Sequence, residues 1–103
     1  MIESDVERRF VTSVRHMGGK AYKLVSPGNA GMPDRLVILP DGRVFFVELK
    51  TDHGRLSANQ HIQIMRLKRL KQDVRVLYGV KDVDAFLSEL SGVRAPETTV
   101  CLD

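Results

Sequence analysis

Residues 34–50, Asp-Arg-Leu-Val-Ile-Leu-Pro-Asp-Gly-Arg-Val-Phe-Phe-Val-Glu-Leu-Lys, decide the fold. Two β-rich runs, Asp34 to Leu39 and Arg43 to Lys50, flank the triplet Pro40-Asp41-Gly42. Proline presets the first corner of a type I turn and glycine tolerates the left-handed position that follows, so the triplet predicts a three-residue hairpin loop. With Leu39 opposite Arg43 the register is set, and Asp34 falls opposite Glu48. Directly opposed side chains of an antiparallel pair lie on one face, with Cβ atoms about 4.5–5.5 Å apart. Lys50, two residues beyond Glu48, shares that face.

The flanking sequence supplies the remaining elements. Val6, Phe10, Val14 and Met17 recur at helical spacing after Ser4, and Gly18-Gly19 ends the pattern, which predicts a helix over 4–17. Lys20 to Val25 reads as a strand, and 26–33 is so dense in Gly, Pro, Ser and Asn that it must be a loop. That loop lacks a Gly-Lys-Ser/Thr ending, which excludes the phosphate-cradling loop of nucleotide hydrolases. Ser57 opens a helix to about Lys71, Val74 to Tyr78 form a fourth strand, and Asp82 caps a last helix with an apolar stripe of Val83, Phe86, Leu87 and Leu90. Ser91 onward, with Gly92 and Pro96, reads as a tail or a short edge strand. The order αβββαβα predicts one α/β domain over 1–90 followed by a tail over 91–103.

Composition bounds the function. With 103 residues, 43% of them apolar, the chain has enough for one core and too little for two. Apolar residues at 43% with charged residues at 28% fit a soluble globular domain and argue against disorder, and no apolar run approaches the ~18 residues of a membrane span. The start, Met1-Ile2-Glu3-Ser4-Asp5, has neither the basic region nor the apolar centre of a secretory signal, so a cytoplasmic setting is expected. A single cysteine, Cys101, excludes an internal disulfide framework and a Cys-rich zinc site. The net charge of +3 conceals a basic body, +7 over residues 1–81, and an acidic end, −4 over 82–103. A basic body suits a polyanionic partner, although surface Lys and Arg also serve solubility alone.

Asp34, Glu48 and Lys50 carry the chemistry. Like charges held this close raise the free energy unless a cation lies between them, and Mg²⁺ prefers carboxylate and carbonyl oxygens. The plain alternative is a solvated pair at the strand ends, with Lys50 salt-bridged to one of them. Context favours the cation: Ser26-Pro27-Gly28 with Gly31-Met32-Pro33-Asp34-Arg35, then Val47-Glu48-Leu49-Lys50, then Leu56-Ser57 with Gln60, resembles the VRR-NUC family of the PD-(D/E)XK nuclease superfamily. The resemblance spans roughly residues 4–87.

The resemblance implies a restriction-endonuclease-like αβββαβ core, a mixed four-stranded sheet flanked by helices. It implies Mg²⁺ or Mn²⁺ held by Asp34, Glu48 and the backbone carbonyl of Leu49, with Glu7 of the first helix completing the site. Lys50 would orient the attacking water or stabilise charge on the phosphate. Gln60 would sit beside that lysine. Glu7 and Gln60 keep a second reading, since Ser4-x-x-Glu7 and Ser57-x-x-Gln60 are both capping boxes. Arg35 should point away from Asp34 into packing or a salt bridge. Lys23, His53, Arg66 and Arg69 are the candidates for contact with DNA; each is equally at home as a solvated side chain.

The implied activity is metal-dependent, structure-selective DNA cleavage. Stand-alone members resemble dimeric Holliday junction resolvases, which points to branched DNA, a homodimer and a bacterial or virus-infected host cell. A flap, nick or single-strand nuclease, or a non-catalytic nucleic-acid binder, is the alternative. The helix after Ser57 bears on this, because Ala58, Ile62 and Met65 form a second apolar stripe opposite Ile64, Leu67 and Leu70. Another copy of the chain, or the tail, would cover it.

Overall fold

The computed structural model describes residues 4–92. Its elements are α1 (Ser4–His16), β1 (Lys20–Lys23), β2 (Arg35–Ile38), β3 (Val44–Lys50), α2 (Ala58–Arg69), β4 (Asp73–Tyr78) and α3 (Gly79–Gly92). The four strands form one mixed sheet in the order β1-β2-β3-β4, antiparallel except for the parallel β3–β4 pair. That parallel pair needs a crossover, and α2 provides it.

The hairpin has the register that the turn predicts. Arg35 pairs with Val47 and Ile38 with Val44, while the Leu39 N–H donates to the Arg43 carbonyl at 2.9 Å. Gly42 closes the turn at φ +94°, the left-handed conformation for which glycine was expected.

Alternation along the strands then sorts the side chains onto two faces. Val37, Phe45, Val47 and Leu49 belong to the main core, which α1 and α3 cover with Phe10, Val14, Val83, Phe86 and Leu90. Phe86 stacks on Phe10 at 6.2 Å between ring centroids and meets Phe45 edge-on at 5.2 Å. Burial of each such ring contributes about 1.5–3 kcal/mol. Glu48 and Lys50 alternate to the other face, against which α2 packs through Ile64.

Three boundaries differ from expectation for local reasons. β1 is assigned only to Lys23, although the Leu24 N–H still donates to the Asp34 carbonyl at 2.9 Å. α3 begins at Gly79, three residues before Asp82; Asp82 sits inside the first turn and reaches back to the Tyr78 N–H at 2.9 Å. Ser91 and Gly92 belong to α3, so the expected tail starts within its last turn, and residues 93–103 lie outside the described residues. No described helix is long and apolar enough to cross a membrane.

Candidate active site

β2 and β3 deliver the two carboxylates. Asp34 lies one residue before β2, and its Oδ2 accepts the Leu49 N–H at 3.1 Å, which clips the start of one strand to the end of the next. Glu48, on β3, is 3% exposed. Its Oε2 accepts the Gln60 Nε2 at 2.8 Å and faces the Lys50 Nζ at 3.5 Å. Its Oε1 is buried without any hydrogen-bond partner.

The electrostatics follow from that placement. Burial pushes the Glu48 carboxyl above the ordinary carboxylate range, the negative charge of Asp34 pushes it further, and Lys50 opposes both. A buried oxygen left without a donor is costly in an ordinary core. Next to a second carboxylate, it is an acceptor suited to a cation. The donor set, two carboxylates and the nearby peptide of Leu49, is all oxygen and therefore matches hard divalent ions such as Mg²⁺ and Mn²⁺.

α2 brings Gln60, and both readings of that residue hold at once. Its own N–H donates to Ser57 Oγ at 3.1 Å, and its Oε1 accepts the Ser57 N–H at 2.9 Å, completing the capping box. The amide nitrogen that remains faces Glu48. The glycine-rich loop holds this helix end in place: a Cβ on Gly31, at φ +93°, would lie 2.5 Å from the Asn59 backbone. Only glycine permits that approach.

The expected third carboxylate does not join the pair. Glu7 Oε2 accepts the Arg35 Nη2 at 2.8 Å, and Arg35 also donates from Nη1 to the Ala21 carbonyl at 3.2 Å. Arg35 alternates to the face opposite Asp34, where α1 packs, so Glu7 is neutralised by the arginine it meets there. Among the described residues no group of three or more His, Cys, Asp or Glu side chains converges. An open groove beside this pair is lined by Glu7, Arg8, Arg15 and Arg35. It does not include Asp34 or Glu48.

Lys23 is exposed at the end of β1, His53 is exposed in the turn after β3, and Arg66 and Arg69 are exposed on α2. Ile62 and Met65 are 47% and 55% exposed, so nothing described covers the second stripe of α2. The bond from Leu49 N–H to Asp34 is one that the motif alone does not reveal. The hairpin register implied it, because it puts Asp34 at the end of the β2–β3 ladder.

The VRR-NUC domain profile matches residues 3–81, a span that contains Asp34, Glu48, Lys50 and Gln60. "Putative nuclease p44" of Acyrthosiphon pisum secondary endosymbiont phage 1 is 45% identical over 75 residues, 73% of this chain and 81% of that protein. A solved structure titled "VRR_NUC domain" superposes with a TM-score of 0.77 at 31% identity, covering 84% of this chain and 94% of that one.

Proposed function

Because this chain belongs to the VRR-NUC family, within the PD-(D/E)XK superfamily, we propose that it is a metal-dependent, structure-selective DNA endonuclease that hydrolyses phosphodiester bonds as a Holliday junction resolvase. The observation that carries the proposal is Glu48, a buried carboxylate beside Asp34 with one oxygen engaged by Gln60 and Lys50 and the other without a partner. Evolving such a group for stability alone is uneconomical, since a buried polar atom without a partner lowers stability.

Asp34, Glu48 and the carbonyl of Leu49 would hold Mg²⁺ or Mn²⁺. Such an ion, when bound, supplies a Lewis acid to the phosphate and makes a bound water acidic enough to ionise near neutral pH. Lys50, on the same face as Glu48, places an ammonium where charge builds on the phosphate or where a water must be oriented. Arg66 and Arg69, with Lys23 and His53, are exposed and available to the DNA backbone, which positions a duplex without reading its sequence.

The branched substrate and the homodimer belong together. The exposed Ile62 and Met65 supply an apolar stripe for a second copy, and a two-fold dimer presents paired sites to a junction of similar symmetry. The setting is the cytoplasm of a bacterial or virus-infected host cell, in keeping with the phage source of the relative.

The test incubates the protein with labelled four-way junction, flap, nicked, single-stranded and linear duplex DNA, with Mg²⁺, with Mn²⁺ and with neither. Paired incision of the junction that requires a cation is expected. Preferential cutting of flaps, nicks or single strands overturns the resolvase assignment, and no cutting of any substrate overturns the nuclease assignment. Light scattering on the wild type and on Ile62→Glu with Met65→Glu tests the dimer; a monomeric wild type ends that part of the proposal.

A further inference from the structure

Each carboxylate at the site is tied through one oxygen. Asp34 gives Oδ2 to the Leu49 N–H, and Glu48 gives Oε2 to Gln60 and Lys50. Asp34 Oδ2 takes one donor, whereas Glu48 Oε2 faces two, and what Glu48 has left for a ligand is Oε1, buried without a partner. A carboxylate constrained in this way binds a cation through a single oxygen. Mg²⁺ and Mn²⁺ accept oxygens singly in near-octahedral geometry, whereas the larger Ca²⁺ takes six to eight and readily uses both oxygens of a carboxylate.

Resting on the metal site proposed above, the geometry points to Gln60 as the positioning residue that sets which divalent cation the site accepts, by holding Glu48 Oε2 so that the carboxylate binds through Oε1 alone. The amide is held in one orientation. Its own Oε1 is committed to the Ser57 N–H at 2.9 Å, so its nitrogen is the atom turned to Glu48. Rotating the amide would break both bonds and set two oxygens against each other.

Lys50 does not substitute for this clamp, because its Nζ is farther off, at 3.5 Å against 2.8 Å for the Gln60 amide. A glutamate at position 60 would keep the capping box and still lose the function, since it brings an acceptor where a donor is needed. The cap hydroxyl and the amide are separate bonds: Ser57 Oγ takes the Gln60 N–H, and Gln60 Oε1 takes the Ser57 N–H. Helix stability and cation choice can therefore be separated experimentally.

Mn²⁺ and Ca²⁺ are titrated separately by calorimetry into the whole protein without DNA, using wild type, Gln60→Met, Gln60→Glu and Ser57→Ala, with circular dichroism as the check on folding. Gln60→Met retains length and removes the donor; Gln60→Glu retains the cap and removes the donor; Ser57→Ala loses the cap hydroxyl and leaves the Gln60 amide in place. The wild-type preference for Mn²⁺ over Ca²⁺ should narrow about tenfold in both Gln60 variants and stay at the wild-type ratio in Ser57→Ala. A ratio within about twofold of wild type in whichever Gln60 variant folds overturns the assignment. An equal shift in Ser57→Ala overturns it too, because fraying of α2 would then explain both. If the wild type binds neither cation, or Asp34→Ala leaves binding unchanged, the metal site itself falls and the role of Gln60 falls with it.

Discussion

Glu48 and Arg75 stand on adjacent strands, point to opposite faces of the same sheet, and are treated in opposite ways. The Arg75 guanidinium donates to Asp73 at 2.7 Å and to both oxygens of Glu89 at 2.9 Å, and it lies 5.4 and 5.3 Å over the rings of Phe45 and Phe86. Its partners raise its pKa, Glu89 most of all, and Arg75 in turn lowers that of Glu89. Glu48 is far more buried, has a second carboxylate as neighbour, and keeps one oxygen without a donor. The sheet thus satisfies a half-buried charge fully where nothing has to bind. Arg35 Nε is also buried without a partner, but there the guanidinium already meets Glu7 and the Ala21 carbonyl; only at Glu48 does the unsatisfied atom lie beside a second carboxylate, and there the missing partner is the expected ligand.

The largest effect that tests this contrast is loss of chemistry. Asp34→Ala, Glu48→Ala and Lys50→Ala should each lower DNA cleavage at least about a thousandfold with the circular dichroism spectrum unchanged, because in the proposed mechanism they would hold the ion and offset the charge of the phosphate. Full activity in any of the three breaks the comparison at its functional end.

Arg75→Met tests the other end. It removes the cation from between Asp73 and Glu89 and the contact with two rings, so urea denaturation should show a loss of about 1–2 kcal/mol while cleavage per folded molecule is kept. A fall in activity beyond the folded fraction would show that the two faces are coupled.

Glu48→Gln should do the reverse and stabilise the metal-free protein by about 1 kcal/mol in thermal melts. The sign follows from the raised pKa: below the ordinary carboxylate range both folded and unfolded forms are protonated and the ionised group costs nothing, whereas as pH rises towards the higher folded value only the unfolded form ionises freely. The advantage of the variant should therefore grow from acid to neutral pH and shrink when Mg²⁺ is added. An advantage that is constant with pH would refute the origin assigned to it.

The smallest effect belongs to Glu7. Paired with Arg35, it resembles Arg75 more than Glu48, so Glu7→Gln, which keeps an acceptor for the half-buried guanidinium and loses the charge, should cost about 0.5–1 kcal/mol and leave cleavage near wild type across the Mg²⁺ range. A loss comparable to that of Asp34→Ala would return Glu7 to the proposed metal ligands.

Much of the site was legible because it depends on short-range rules. A proline–glycine turn sets a hairpin register, and a register places Asp34, Glu48 and Lys50 on one face with no knowledge of the remaining fold. Gln60 was legible only as an ambiguity, a cap or a site residue. Its amide does both, and that could be seen only once α2 lay against the sheet. Glu7 shows the converse. Helical spacing placed it toward the buried side, but which side of the sheet α1 covers, and that Arg35 waits there, are not local properties.

By itself the sequence determined the strand and helix order, the hairpin register, the carboxylate pair and the resemblance to a nuclease family, since each follows from periodicity, turn chemistry or a contiguous motif. Only the tertiary structure decided that Glu48 Oε1 is without a donor, that Glu7 is taken by Arg35, and that Ile62 and Met65 stay uncovered among the described residues. The reason is physical: periodicity assigns a side chain to a face, whereas desolvation and hydrogen bonding depend on what distant elements bring to that face.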